Sequence, residues 1–192
     1  MYQKLLQDAN LPWLLIKIDE DLAEKERKGC CRWCGGVLHR AYFARRPRGP
    51  FCVGARHVRR ASFCCAEEGC RRRATPPSVL YLGRKVYLGA MVVLLAALRS
   101  DPTPERAARV EEVWGVGART LRRWRKWWTE SFVRSPFWRA TRARFSGRVR
   151  EEELPFSLVE AFDVSADVGR LVELLRWLSP VSRREGLLGR AI

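Results

Sequence analysis

All seven cysteines of this 192-residue chain lie between positions 30 and 70. Thiolates are soft ligands, and a structural zinc ion takes four of them in a tetrahedron built from two tight turns. CRWC, from Cys31 to Cys34 and followed by Gly35 and Gly36, is one such turn. Two intervening residues set the bite, and glycine behind the second sulfur permits a left-handed backbone. CAEEGC, from Cys65 to Cys70, is the second turn, a C-x4-C; Cys64 with Cys70 gives the alternative C-x5-C. Cys64 and Cys65 are neighbours in a strand-like run, so alternation sends them to opposite faces and only one of them ligates. The closer spacing favours Cys65.

The predicted ligands of a structural Zn2+ are therefore Cys31, Cys34, Cys65 and Cys70, with Cys64 as the alternative to Cys65. Cys30 and Cys52 become bystanders. His39 and His57 can substitute as donors, although a site of four cysteines needs neither. Four thiolates leave no open coordination position, and the H-x-E partner of zinc deaminases is missing, which speaks against a catalytic zinc. In a glycine- and arginine-rich module of this size, metal binding is folding energy.

The elements that must position these turns follow from texture. A short amphipathic helix is predicted from Pro12 to Gly29, with Trp13, Leu14, Ile16, Ile18 and Leu22 giving way to alternating charge. From Cys30 to Arg73 helical periodicity is weak and glycine, proline and short apolar runs dominate, which suits a β-type module. TPPSVLYLGRKVY, residues 75–87, reads as an exit loop and a strand-like segment, and a helix is predicted from Leu88 to Leu98. The fold class is α+β: a small β zinc ribbon followed by a mostly α region. The predicted organisation is an N-terminal helix over 1–29, a zinc-ribbon module over 30–87, a helical region over 88–150 and a C-terminal helical segment over 151–192.

Within 88–150 lies a helix-turn-helix over about 103–132. Thr103 caps its first helix and Pro104 suits the first helical position. Gly115 and Gly117 make the turn, and the second helix runs from Ala118 to Phe132 with Leu121, Trp124 and Trp128 inward. Arg119, Thr120 and Arg123 are candidates to reach base edges; Arg122, Arg125 and Lys126 are candidates for phosphate. Trp127 and Trp138, flanked by basic residues, are weaker candidates for contact with nucleic acid. A terminal helix is predicted from Asp167 to Leu178, after an acidic hinge at 151–155.

Charge points to the partner. The net charge is +16, and it is uneven: residues 30–73 hold 11 basic and 2 acidic side chains, and residues 117–150 hold 11 and 1. Two basic blocks separated by a nearly neutral stretch describe two contact surfaces for a polyanion, double-stranded DNA being the expected one. Arg45, Arg46, Arg48, Arg59, Arg60, Arg71, Arg72 and Arg73 are the ribbon's candidate backbone contacts. At 47% hydrophobic and 10% aromatic residues the chain has the material for a core, which excludes wholesale disorder. The longest apolar run, from Val86, holds about 13 residues before Arg99, short of the roughly 20 that cross a bilayer. A cytoplasmic, nucleoid-associated protein without a membrane partner is expected, and a reducing compartment makes disulfides a poor account of the cysteines.

The order of these features carries a resemblance. A Cys-x2-Cys-Gly turn, an arginine-rich ribbon ending FCCAEEGCRRR, the TPPSVLYLGRKVY segment, an apolar helix and a helix-turn-helix follow one another from 31 to 130. This resembles the zinc-ribbon and helix-turn-helix front end of bacterial insertion-sequence transposases and their small accessory or regulatory proteins, over about half the chain. The resemblance implies a DNA-binding protein of a mobile element, with a transposase or another mobile-element protein as a further partner. The second knuckle departs from the family's C-x2-C. Such transposases continue into a domain in which three carboxylates hold two metal ions; Asp163, Asp167 and Glu173 sit together on one short stretch here, whereas such carboxylates converge from separate elements. They are read as a solvated face, and no catalytic residue is assigned. A transposase or nuclease fragment, and a zinc ribbon that binds RNA or RNA polymerase, are the alternatives.

Overall fold

The computed structural model describes residues 8, 10–44, 59–82, 88–99, 101–164 and 167–183. Helix α1, Asn10–Lys28, starts where the Asp8 carboxylate accepts the Asn10 amide at 2.8 Å, and it buries Leu11, Leu15 and Ile18 along one stripe. Lys25, Arg27 and Lys28 crowd its last turn, where the helix dipole favours cations. Three antiparallel strands follow in the order β1 (Leu38–Ala44), β2 (Arg59–Cys65) and β3 (Arg73–Ala74). Leu38 pairs with Cys65 and His39 with Cys64, while Phe63 pairs with Ala74. The architecture is α+β, a small sheet followed by a helical body.

The helical body is organised by α2, Leu88–Leu98, whose ten buried residues make it apolar on every side. It is followed by α3 (Pro104–Trp114), α4 (Ala118–Lys126), α5 (Pro136–Thr141), α6 (Phe156–Glu160) and α7 (Asp167–Leu178), of which α4, α6 and α7 pack against it. Thr103 caps α3 by accepting the Arg106 amide at 3.4 Å, and Gly115 ends it in a left-handed conformation at φ 65°. Helix α4 continues as a π-helical turn over Trp127–Phe132. With Trp124, Trp128 and Phe132 four residues apart, the wider turn keeps all three rings in the core. No helix among the described residues is long and apolar enough to cross a membrane.

One expectation about the sheet is corrected. Residues 75–82 supply no strand to it, and 83–87 lie outside the described residues. The amides that a strand would pair are taken by side chains: Val79 donates to Asp19 Oδ1 at 2.7 Å, and Leu80 and Tyr81 donate to Ser78 Oγ at 3.2 and 2.9 Å. Ser78 Oγ in turn donates to Asp19, and the Ser78 amide donates to Ser182 Oγ at 2.8 Å. This hub fastens α1, the segment after β3 and the C-terminal turn to one another.

Burial raises the Asp19 carboxyl to about 6, against the pull of bonds from Ser78 and Val79 and the charge of Arg60. The folded state thus holds the proton more tightly than the unfolded chain does. Stability from this group is full below the ordinary carboxylate pKa and is lost as pH rises toward 6. Asp19→Asn cannot titrate, so from pH 4 to pH 7 the stability difference between wild type and variant should move against wild type by on the order of 2 kcal/mol. Urea midpoints at the two pH values read this directly, and a constant difference would contradict it.

Candidate metal centre

The first knuckle begins where α1 ends. The Cys31 amide donates to the Gly36 carbonyl at 2.8 Å and the Gly35 amide to the Cys31 carbonyl at 2.7 Å, closing a tight loop that needs Gly35 at φ 73°. The loop turns its amides onto sulfur. The Trp33 and Cys34 N–H groups face Cys31 Sγ, and the Gly36 N–H faces Cys34 Sγ. Donors of this kind favour the thiolate, and the Trp33 amide is the largest cause of the Cys31 thiol being held down to about 6.

The second knuckle is fixed by the end of β2. The Cys65 amide donates to the Arg72 carbonyl at 3.0 Å, the Ala66 amide to the Val37 carbonyl at 2.9 Å, and the Cys70 and Arg71 amides share the Glu67 carbonyl at 3.0 Å. Cys65 is fully buried, and burial is the first cause of its thiol being pushed up to about 12, against the Glu67 N–H that favours its thiolate.

The sulfurs of Cys31, Cys34, Cys65 and Cys70 all lie within 4.8 Å of one another. Cys31 and Cys70 are 3.7 Å apart and Cys34 and Cys65 3.4 Å. Bonded disulfide sulfurs sit at about 2.05 Å, so these are separate thiols. A metal–sulfur distance of about 2.3 Å in a tetrahedron puts neighbouring sulfurs about 3.8 Å apart, close to the observed spacing. Leu38, Phe63 and Ala74 pack around the cluster, and Ala23 of α1 closes it. Gly36 leaves no slack: a Cβ there would meet Glu67 Cγ at 2.5 Å and Cys65 Sγ at 3.2 Å. Donor chemistry, spacing and close packing fit a structural metal ion with four cysteine ligands.

Cys64 is turned away, as strand alternation requires. Its Sγ lies 3.6 Å from the Arg71 carbonyl and 3.7 Å from that of Cys65. His39, its cross-strand partner, is exposed on that same side, and the Cys30 sulfur meets the Lys28 carbonyl at 3.8 Å. None of the three joins the cluster; Cys52 and His57 lie outside the described residues. Among the described residues no other group of histidine, cysteine and carboxylate side chains is gathered in this way. Asp163 pairs with Arg148 at 2.7 Å, and Glu173 is exposed on α7.

The sequence-predicted nucleic-acid contacts divide. Arg59, Arg71, Arg72 and Arg73 are exposed on the ribbon, and Arg119, Arg122, Arg123 and Lys126 are exposed on α4 with Thr120 half-buried beside them. Arg45, Arg46 and Arg48 lie outside the described residues. Arg60 is a correction. It is 4% exposed, and its guanidinium donates to the carbonyls of Pro76, Tyr81 and Ser182 and to Ser182 Oγ, so it belongs to the hub that joins ribbon to body. Arg125 is also drawn inward, donating to the Arg99 carbonyl at 2.9 Å and pairing with Asp101 at 3.0 Å. Trp138 is corrected too: it is buried, and its indole N–H donates to Glu151 at 2.6 Å. Trp127 packs edge-on against Trp128, with ring centroids 5.0 Å apart.

Sequence reasoning missed Trp33, an exposed indole between arginines from both knuckles. Its place inside CRWC, beside Arg32, was the available signal. Comparison with protein-family models, with curated proteins and with solved structures finds no match to this chain.

Proposed function

We propose that the chain is a zinc-dependent, non-enzymatic DNA-binding protein of a mobile genetic element, acting as an accessory or regulatory partner of a transposase. The observation that carries the reading is the four-thiol cluster, from whose second knuckle three exposed arginines, Arg71, Arg72 and Arg73, emerge directly. Cys31, Cys34, Cys65 and Cys70 hold the Zn2+, which supplies shape and no chemistry to a substrate. The ribbon lies along the phosphate backbone through Arg59 and Arg71 to Arg73. Helix α4 enters the major groove with Arg119, Thr120 and Arg123 toward base edges and Arg122 and Lys126 toward phosphate. The order of ribbon, apolar helix and helix-turn-helix, which resembles the front end of insertion-sequence transposases, supports the mobile-element role.

The test compares two single variants on a panel of duplexes. Arg123→Ala should relax the preference among sequences, costing about 1–3 kcal/mol on the preferred site and little elsewhere. Arg72→Ala should weaken every duplex alike. Equal behaviour of the two variants across the panel would contradict the division of labour.

A further inference from the structure

Trp33 is the third residue of the first knuckle and keeps 40% of its surface exposed. Its backbone amide faces the Cys31 sulfur, so the turn that presents the metal ligands also fixes the indole. Arg32 holds its guanidinium carbon 4.2 Å from the Trp33 ring centroid, and Arg72, leaving the second knuckle, holds its own at 5.3 Å. The metal centre thus brings a planar aromatic and two planar cations from distant parts of the chain to one exposed tip. Among the described tryptophans, Trp13 and Trp33 are the exposed ones; Trp124, Trp128 and Trp138 are buried, and Trp114, Trp127 and Trp177 pack on the core. The surroundings are cationic on balance: Arg71, Arg72 and Arg73 are all exposed, alongside the exposed Glu67 and Glu68, and Glu68 meets Arg71 at 3.9 Å.

The cation–π contact of a guanidinium over an exposed ring is itself worth only about 0.5–1 kcal/mol. A nucleobase gains more by stacking on indole, and the displaced arginine then meets the phosphate beside that base. Bases within a duplex have no free face, so the occupant this tip fits is an unpaired nucleotide. We propose that Trp33, flanked by Arg32 and Arg72, is a stacking platform for an unpaired DNA base, which makes the metal knuckle a reader of single-stranded or frayed DNA. This deepens the function proposed above and rests on it. Arg72 serves both surfaces, whereas the duplex contacts by α4 and by Arg59, Arg71 and Arg73 are separate from the platform.

The test uses the full-length, metal-loaded protein, a dye-labelled single-stranded oligonucleotide and the blunt duplex of the same sequence, read by fluorescence anisotropy. Trp33→Ala should weaken the single strand by about tenfold and change the duplex by less than about twofold, while Trp33→Phe keeps most of the single-strand affinity. Metal content of each variant is measured alongside, and if Trp33→Ala loses its metal then Trp33→Leu, which keeps bulk without an aromatic face, decides in its place. A variant that leaves single-strand binding unchanged, or weakens both forms equally, overturns the platform and leaves the DNA-binding reading standing. Wild-type protein that binds neither form overturns both.

Discussion

Cys65→Ser should strip the metal and unfold the three-stranded sheet, whereas Cys64→Ser should keep both. The two residues are adjacent, yet Cys65 is fully buried within the thiol cluster while Cys64 points at backbone carbonyls on the other face. Serine is a hard, poorly ionised donor, so the substitution at 65 leaves three thiolates and an open position. Around the cluster the sheet has little apolar packing of its own. Apart from the ligands, its buried apolar cluster is Leu38, Phe63 and Ala74. Burying a leucine or phenylalanine contributes about 1.5–3 kcal/mol each, against about 10–16 kcal/mol of apparent binding energy for a structural zinc. Elemental analysis should find one metal per chain in wild type and Cys64→Ser and none in Cys65→Ser. Trypsin should then cleave the ribbon after Arg71, Arg72 or Arg73 in Cys65→Ser while the helical body, whose core is a separate cluster, resists. A Cys65→Ser protein that keeps its metal and its resistance would refute the ligand set.

Duplex affinity should collapse with salt. Eight of the predicted cationic contacts are exposed: Arg59, Arg71, Arg72, Arg73, Arg119, Arg122, Arg123 and Lys126. Their local carboxylate contacts are long: Arg71 meets Glu68 at 3.9 Å, and Lys126 meets Glu130 at 3.7 Å. Six of them, Arg59, Arg71, Arg72, Arg73, Arg122 and Lys126, are the phosphate contacts of the proposed complex, so the slope of log affinity against log salt is about −5, a loss of about 10³ between 50 and 200 mM. Each neutralising substitution among these six should reduce the slope by about 1. Arg60→Ala should not, because its guanidinium is spent on Pro76, Tyr81 and Ser182; it should cost stability instead. A flat salt response would remove the electrostatic basis of the reading.

How much of this was legible from residue types varies by element. The knuckles were, because ligand spacing is a local property and strand alternation separates Cys64 from Cys65 without any tertiary knowledge. Leu88–Leu98 and Asp167–Leu178 were legible as helices at the bounds observed, one from its unbroken apolar run and one from its period and the Ser179-Pro180 stop. Arg60 was not. Nothing in the run RRASFCC distinguishes it from Arg59, since its burial depends on Ser182, a residue 122 positions away. The run VLY looks like a strand by composition; only the folded chain shows Asp19 and Ser78 taking its amides. Helix α6 is five residues long and follows Leu154 and Pro155, so no period could announce it. Trp138 was a weaker candidate for nucleic acid because it adjoins Arg139, and the Ser135 cap and the Glu151 acceptor turn its ring inward.

The central claim is that a metal ion held by four thiolates gives an arginine-laden segment the shape that DNA meets. The most direct measurement is the affinity of one duplex, at one salt concentration, for the metal-loaded protein and for the same protein after chelation. The account predicts one zinc per chain before chelation, and at least about a tenfold loss of affinity after it, recovered when zinc is returned. Protein purified without chelator that carries no metal, or chelated protein that binds the duplex as tightly as before, would contradict it.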